Sequence, residues 1–224
     1  MSESDRNPLD FLAALGEDER AAFRAAGRVR RYSKGEAVFH EGDDPGGVIA
    51  ILSGRAKVSA AGVAGREVVL RFAAAGELLG EMSAIAGRPR TATVTALDEL
   101  ELVAMRTADF RRFIEQHPRV APLVFDRLAL LLAEADRQLV DFATRDVTAR
   151  VAGRLIELAE MSGEHDGAGV RITLPLSQDE LGAWAGASRE AVARSLHLLR
   201  ELGWIETRRR EIRVLNAEGL RSLI

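Results

Sequence analysis

Cysteine is absent from this sequence of 224 residues. Its absence excludes disulfide frameworks, thiol nucleophiles, and zinc or iron–sulfur sites that depend on thiolate ligands. Long apolar runs are also missing, because the longest candidate, residues 123–133, is interrupted by Asp126 and Arg127 and is shorter than the roughly 18–20 residues that span a bilayer. The opening residues, MSESDRNPLD, are polar and acidic, unlike a signal peptide. We therefore expect a cytoplasmic protein with no membrane partner.

A strong excess of one charge is missing as well. The sequence has 31 Lys and Arg residues against 34 Asp and Glu residues, which gives a net charge of −3 and a pI near 5.9. A protein that contacts nucleic acid along its whole length would be more basic, so any such contact is confined to a local patch. The length and the 47% hydrophobic content suffice for two small domains with separate cores.

Residue sets that carry catalysis are not found either. The segment GELLG at residues 76–80 lacks the Gly-Lys-Ser/Thr of a phosphate-binding loop, and no His–Glu spacing typical of a metal site occurs. We expect surface or capping roles for the histidines, which are His40, His117, His165 and His197. The sequence therefore predicts neither a metal site nor an enzymatic activity.

Short β-type runs separated by glycines occupy residues 29–106. Regularly spaced runs with turn signals between them predict an antiparallel barrel or roll, and we favour a β-roll. Two short amphipathic helices around a turn at Gly16 are predicted before it, within residues 9–27. The clearest runs are VIAIL (48–52), EVVLRF (67–72), TATVTAL (91–97) and ELVAM (101–105).

A long helix is predicted from residue 118 to about residue 145. Its apolar residues step by three and four positions, which places them on one coiled-coil face. Charged residues flank this seam and favour a partner helix, so we expect a parallel homodimer. The alternative is an amphipathic helix that packs on its own domain. The seam consists of Phe125, Leu128, Leu132, Ala135, Leu139 and Phe142.

Residues 146–224 predict a compact helical domain. Helices are expected over residues 147–161, 177–185 and 188–202, with a flexible, charged loop over residues 162–169.

The second and third of these helices have the pattern of a helix-turn-helix. Ser177 and Glu180 form a predicted capping box, Gly186 supplies a tight turn, and Ser188 caps the following helix. The tail WIETRRREIRVL predicts a β-hairpin wing with Arg208, Arg209 and Arg210 at its tip. The fold class is thus α+β, with a β-roll, a long dimerisation helix and a winged helix-turn-helix.

This order of parts resembles the CRP–FNR family of regulators related to the cyclic-AMP receptor protein. Two motifs carry the resemblance. The first is Gly80-Glu81-Met82-Ser83-Ala84 with Arg90-Thr91-Ala92, similar to the phosphate-binding cassette of cyclic-nucleotide domains. The second is Gly186-Ala187-Ser188-Arg189-Glu190 with Val192 and Arg194, similar to the recognition helix of that family. The resemblance implies a sensor domain at 1–117, a dimerisation helix at 118–145 and a DNA-binding domain at 146–224.

The chemistry of the cassette fits a cyclic phosphate. A short helix that begins near Gly80 would present free backbone N–H groups to the phosphate, and Arg90 and Thr91 would add a guanidinium and a hydroxyl. The resemblance assigns Glu81 to the ribose 2′-hydroxyl and places Val58 and Leu70 in the apolar wall beneath the base. The alternative is an internal salt bridge between Arg90 and Glu81 in an empty roll.

The residues of the long helix do not decide which effector the sensor domain binds. By resemblance, Leu131, Ala135 and Asp136 occupy positions that clamp the phosphate and the base in cyclic-AMP-responsive members. Of these three, Asp136 alone keeps a polar side chain suited to an exocyclic amine. Cyclic AMP is the favoured effector, and cyclic GMP, another small molecule or ligand-independent binding are the alternatives. The missing cysteines exclude the iron–sulfur branch, and the histidines do not fit axial ligands of a haem.

The recognition helix carries side chains suited to base edges. Arg189 and Arg194 can each make a bidentate contact with guanine, and Glu190 can accept from cytosine N4. By resemblance, the half-site contains a GTGA-like core and RNA polymerase is a further partner. The residues expected to bind phosphates are Ser177, Gln178 and Ser188. The alternative is a solvated face on which Glu190 pairs with Arg194.

Overall fold

The computed structural model describes residues 7–165, 167–172, 176–208 and 211–224. The chain divides into two compact units, Met1–Glu134 and Ala135–Ile224. Within the described ranges, no helix combines the length and the apolar character needed to cross a membrane.

The first unit contains the predicted antiparallel roll. One four-stranded sheet has the order β1-β8-β3-β6 and the other has the order β2-β7-β4-β5. Each of the four runs that predicted strands overlaps a strand of these sheets, and the run at residues 91–97 extends beyond its strand at both ends. The strands are β1 (Arg28–Tyr32), β2 (Ala37–Phe39), β3 (Gly47–Ser53), β4 (Ala56–Ala61), β5 (Glu67–Ala73), β6 (Leu78–Leu79), β7 (Thr93–Ala96) and β8 (Leu100–Arg106).

The continuous apolar run of β3 is explained by burial on both of its faces. Ile49 and Ile51 lie in a core between the two sheets, together with Val58 and Val94. Val48 and Ala50 point to the other face, where a second core contains the N-terminal helices. Because alternate side chains of a strand point to opposite faces, a strand buried on both sides reads as an unbroken apolar sequence.

Helices cover the outer face of the first sheet. Phe23 and Phe113 pack edge to face with ring centroids 5.4 Å apart, and Val120 and Val124 at the start of the long helix join the same core. The two short helices predicted around Gly16 are confirmed. The helices are α1 (Phe11–Ala14), α2 (Glu17–Ala26), α3 (Glu81–Ala86), α4 (Thr107–Gln116) and the long helix α5 (Val120–Thr144), whose last residues belong to the second unit.

The second unit is a winged helix-turn-helix. Its core includes Leu155, Trp184 and Leu199 from three helices and Ile205 from the wing. A sheet of order β11-β12-β10-β9 supports the wing, whose expected tip residues Arg209 and Arg210 lie outside the described residues. The elements are α6 (Val147–Ser162), β9 (Gly163–His165), β10 (Val170–Ile172), α7 (Gln178–Ala185), α8 (Arg189–Glu201), β11 (Ile205–Arg208), β12 (Glu211–Val214) and α9 (Ala217–Arg221).

One prediction for this unit is wrong. Residues 162–169 were expected to form a flexible loop, but Ser162 belongs to α6 and residues 163–165 form β9, which pairs with β10. The backbone hydrogen bonds of a short hairpin order these polar residues, although no apolar alternation marks them as a strand.

Candidate effector pocket and DNA-binding surface

The cassette begins at a glycine that no other residue can replace without strain. Gly80 has a φ of +83°, and a Cβ atom there would lie 2.4 Å from Nη1 of Arg90. It precedes α3, where the first backbone hydrogen bond runs from Ala84 N to Gly80 O at 3.1 Å. Among the described residues, none accepts a hydrogen bond from the backbone N–H of Met82 or Ser83. Two donors are therefore available for an anion beside Arg90.

Arg90 is held under the cassette, and only 7% of its surface is exposed. Its Nη1 donates to Gly80 O at 3.1 Å, and its guanidinium lies 4.2 Å from the centroid of the Phe39 ring. Its Nε is buried and has no hydrogen-bond partner in the described part of the chain. Burial lowers the pKa of Arg90, and the charges of Asp43 and then Glu81 oppose this. A buried cation with an unused donor is suited to binding an anion.

Glu81 is also buried, with 3% of its surface exposed. Burial raises the pKa of its carboxyl, an effect that the charges of Arg127 and Arg71 oppose. Arg90 and Glu81 are both described, yet no ion pair joins them, so the expected alternative of a direct salt bridge is not found. Ser83 donates to Pro89 O at 3.2 Å, Ala92 is buried, and Thr91 is exposed.

The strands that carry Val58 and Leu70 differ from the expectation that both residues form an apolar wall beneath the base. A bulge between Val58 and Ser59 pairs Val58 with Arg71 and makes Leu70 the inserted residue. Leu70 is 39% exposed, while Val58 lies in the core between the sheets. Since residues paired across two strands point to the same face, Arg71 points into the roll, the face assigned to Leu70. Arg71 uses Nη1 for Glu77 and for Phe72 O.

The recognition helix α8 exposes the side chains predicted to read DNA. Arg189, Glu190 and Arg194 are exposed on it, whereas Val192, Leu196 and Leu199 are buried on its opposite side. Glu190 and Arg194 form no ion pair among the described residues, and Arg189 lies 3.6 Å from Asp179 at an exposed site. These donors and acceptors face solvent and can reach the edges of bases.

The caps predicted for this surface are present. The Ser177 hydroxyl accepts from Glu180 N at 3.1 Å while the Glu180 carboxylate accepts from Ser177 N at 2.9 Å, and Gln178 opens α7 in an exposed position. Ser188 accepts from Ala191 N at 3.3 Å. Both helices thus begin on exposed serines, the placement expected of phosphate contacts.

Residues outside the helix-turn-helix contact its turn. Gly186 has a φ of +62°, and a Cβ atom there would lie 2.5 Å from the ring of Phe142. Arg150 donates through Nε to Ala185 O at 2.8 Å, and its guanidinium lies 5.4 Å from the centroid of the Phe142 ring. The end of α5 is therefore packed against the turn that precedes the recognition helix.

Family models match both parts of the chain. A cyclic nucleotide-binding domain matches residues 29–117, and a Crp-like helix-turn-helix domain matches residues 149–223. A CRP-like cAMP-activated global transcriptional regulator of Mycobacterium tuberculosis is 31% identical over 189 residues, which are 84% of each chain. The chain belongs to the CRP/FNR family. It is therefore a DNA-binding transcriptional regulator by family, with a cyclic nucleotide-binding domain.

Other CRP/FNR relatives differ in the effectors in their names. The Cyclic AMP receptor protein of Thermus thermophilus is 33% identical over 174 residues, which are 78% of this chain and 77% of the relative. The c-di-GMP responsive global regulator CLP of Xanthomonas campestris has a solved structure with a TM-score of 0.80 and 26% identity, covering 89% of this chain and 99% of that chain. Family membership is thus compatible with more than one nucleotide.

The seam expected of a CRP/FNR dimer is exposed in part. Phe125, Leu132 and Leu139 repeat every seven residues and are each 64–67% exposed, and Ala135 is exposed between them. Leu128 instead packs against the core of the first unit, and Phe142 contacts the turn at Gly186. The expected alternative, packing on the helix's own domain, therefore holds at Leu128, while the dimer remains a prediction. Asp136 is exposed on the same helix.

The residues that the sequence did not reveal are buried charges. Glu77, Arg71 and Arg127 form ion pairs at 2.6 and 3.1 Å, and Glu77 and Arg127 are each only 3% exposed. One signal was available: Arg127 follows Val120 and Val124 at the spacing of a buried helix face. A charge in that pattern indicates a partner inside the fold.

Proposed function

We propose that the protein is a homodimeric transcriptional regulator that binds a palindromic, GTGA-like DNA site under the control of a cyclic nucleotide. Cyclic AMP is the first candidate for that effector. In this proposal residues 1–117 form the sensor, residues 118–145 the dimerisation helix and residues 146–224 the DNA-binding domain. Because its partners would be promoter DNA and RNA polymerase, we place its action in the cytoplasm.

The observation that carries effector control is the buried, incompletely bonded guanidinium of Arg90 beside Gly80. A cation that is 93% buried requires charge compensation, and no carboxylate forms an ion pair with it among the described residues. A cyclic phosphate would supply that charge. The N–H groups of Met82 and Ser83 would share the phosphate oxygens, and Glu81 would accept a hydrogen bond from the ribose.

Effector binding would act on DNA through the long helix. A ligand shifts a conformational equilibrium only by binding one arrangement better than the other, so the nucleotide must favour the arrangement that binds DNA. The exposed heptad of Phe125, Leu132 and Leu139 supports pairing of two copies. A dimer would present two recognition helices to successive major grooves of a palindrome.

A second candidate is the same regulator with another effector. Two observations favour it. Leu131 and Ala135 lack the polar groups expected of a cyclic-AMP clamp, and Arg71, which is paired with Glu77, lies beside Val58 where an apolar side chain was expected. The c-di-GMP responsive relative shows that this fold is used with another nucleotide.

Calorimetric titration of the nucleotide-free protein with cyclic AMP, and separately with cyclic GMP, tests the effector. We expect micromolar binding of one of them, lost in Arg90→Ala and retained in Arg88→Ala, because Arg88 is exposed in the same loop. Absence of heat with either nucleotide, at two temperatures, would contradict control by cyclic AMP or cyclic GMP and leave the second candidate.

Fluorescence anisotropy with a labelled palindrome tests DNA recognition. Arg189→Ala should lower specific affinity by ~1–3 kcal/mol while nucleotide binding is unchanged, because a bidentate contact with one base is removed. Equal binding of the palindrome and a scrambled duplex by the wild-type protein would contradict sequence-specific recognition.

A further inference from the structure

A side chain of the long helix is bonded to the strand that leads into the cassette. Arg127 lies on α5, and its Nη2 donates to Leu78 O at 2.7 Å while its Nη1 donates to Leu9 O. Leu78 begins β6, and Gly80 follows two residues later. The long helix is therefore hydrogen-bonded to the backbone from which the cassette extends.

The charge of Arg127 is balanced by a buried carboxylate of the first unit. Its Nη2 also donates to Oε2 of Glu77 at 3.1 Å. Glu77 accepts three further hydrogen bonds, from Arg71 Nη1 at 2.6 Å, from Ala74 N at 3.0 Å and from Asn7 Nδ2 at 3.3 Å. A buried carboxylate with four donors has one well-defined position, so it fixes the guanidinium of Arg127 as well.

The charge of Arg127 also influences the ionisation of Glu81, the residue that follows Gly80 and would hold the ribose. Arg127 is the strongest influence opposing the rise in the pKa of Glu81 that burial causes. A ribose hydroxyl that donates to Glu81 favours the ionised carboxylate over the neutral acid. An ionised Glu81 attracts Arg127 more strongly than a neutral one does, because the charges interact in a poorly solvated interior.

We propose that Arg127 is the positioning residue that couples nucleotide binding in the cassette to the long helix. Its guanidinium donates to Leu78 O, two residues before Gly80, so a shift of the cassette on nucleotide binding is passed to α5 through that hydrogen bond, and the charge of Glu81 adds to this coupling. Because α5 is continuous from Val120 to Thr144, a change at Arg127 is carried along the helix towards Phe142 and the turn at Gly186. This inference rests on the proposed function and names the residue through which that control is exerted.

The test measures a coupling ratio for binding to a GTGA-like palindrome. The ratio is the dissociation constant of the protein–DNA complex without cyclic AMP divided by the dissociation constant with saturating cyclic AMP. The proteins are wild type, Arg127→Lys, Arg127→Met and the control Arg112→Met, since Arg112 is exposed on α4. We expect a wild-type ratio of ~5–150, the usual range of allosteric coupling. It should fall partly in Arg127→Lys, which keeps the charge, and approach 1 in Arg127→Met.

A purely structural role would lower the melting temperature without changing the ratio. If Arg127→Met does not fold, the double variant Arg127→Met/Glu77→Gln, which removes both charges of that pair, takes its place beside Arg127→Lys. Wild-type ratios in folded Arg127 variants would overturn this inference alone, because nucleotide control itself would still be present. A wild-type ratio of 1 would overturn both this inference and the proposed nucleotide control.

Discussion

The charged residues of the two candidate sites lie in opposite environments. In the first unit Glu77, Glu81 and Arg127 are each 3% exposed and interact with one another. In the second unit Arg189 and Asp179 have side chains 64% and 68% exposed. Buried charges lose hydration and depend on fixed partners, whereas exposed charges remain solvated and free to meet a new partner. The two proposals therefore give the same residue types different uses, which are positioning in the first unit and recognition on the helix-turn-helix.

The largest effect that would test this contrast is expected from Glu77→Ala. The substitution leaves the buried Arg127 and its neighbour Arg71 without their carboxylate, so the free energy of unfolding should fall by ~3–5 kcal/mol. Urea denaturation measures it. Glu101→Ala is the matched control, because Glu101 pairs with Arg31, whose side chain is 81% exposed, and should cost at most ~1 kcal/mol. Similar losses of unfolding free energy in the two variants would contradict the distinction between buried and exposed charges.

The exposed side of the contrast is tested by Arg194→Ala. Arg194 is exposed and has no hydrogen bond or ion pair among the described residues, so the free energy of unfolding should not change. Specific DNA affinity should fall by ~1–3 kcal/mol through loss of a guanine contact. Anisotropy and urea denaturation are measured on the same samples.

The control for Arg194→Ala is Arg221→Ala, which removes an exposed arginine of α9 that pairs with Glu160. It should leave the affinity for the palindrome as it is. Equal loss of DNA binding in the two variants would mean that Arg194 contributes only general positive charge.

A smaller effect is expected from Gly80→Ala. Its φ of +83° costs an alanine ~1–2 kcal/mol, and the new Cβ displaces Arg90 from the cassette. Gly87→Ala is the control, because Gly87 also has a positive φ, +64°, but has no atom within 4 Å of the added Cβ. Both variants should lose stability through the positive φ, and Gly80→Ala should lose more because its Cβ also meets Arg90 and lies 3.0 Å from Gly47 O. Only Gly80→Ala should lose nucleotide affinity in calorimetry. Equal nucleotide affinities of the two variants would show that nucleotide binding does not depend on the close approach of Arg90 to Gly80.

The smallest effect is expected from Glu81→Gln, which keeps the shape and removes only ionisation. Because the pKa of Glu81 is raised in the folded protein, the unfolded chain loses this proton first as the pH rises. The wild-type protein should therefore lose stability relative to Glu81→Gln as the pH rises from the ordinary glutamate pKa through the raised one. Above that window the difference should be constant. A stability difference between the two proteins that does not change with pH would mean that the pKa of Glu81 is not raised by burial.

Much of the fold could be predicted from local sequence patterns. The runs that became β3, β5, β7 and β8 alternate with turn signals, and the capping box at Ser177 and Glu180 marks the start of α7. The hairpin of β9 and β10 could not be predicted, because its first strand has no apolar alternation.

Some residues of the candidate effector pocket could be predicted from the sequence and others could not. Gly80 and Arg90 could be found because the segment that resembles the phosphate-binding cassette is a short stretch of neighbouring residues. Arg71 could not be placed, because a bulge shifts the register between β4 and β5 and pairs Arg71, rather than the expected Leu70, with this part of β4. A shift of one residue reverses the face of a side chain, and nothing in the strand itself signals it.

The sequence by itself determined the order of parts, the caps and turns of the helix-turn-helix, and the residue types of both sites. These features depend on spacing of a few residues, which backbone geometry converts directly into helices, strands and turns. Tertiary structure alone decided that Arg127 and Glu77 meet in the interior of the first unit, that Leu128 packs on its own unit, and that Phe142 contacts Gly186. The first of these contacts joins residues 50 positions apart, and burial then sets how strongly their charges interact.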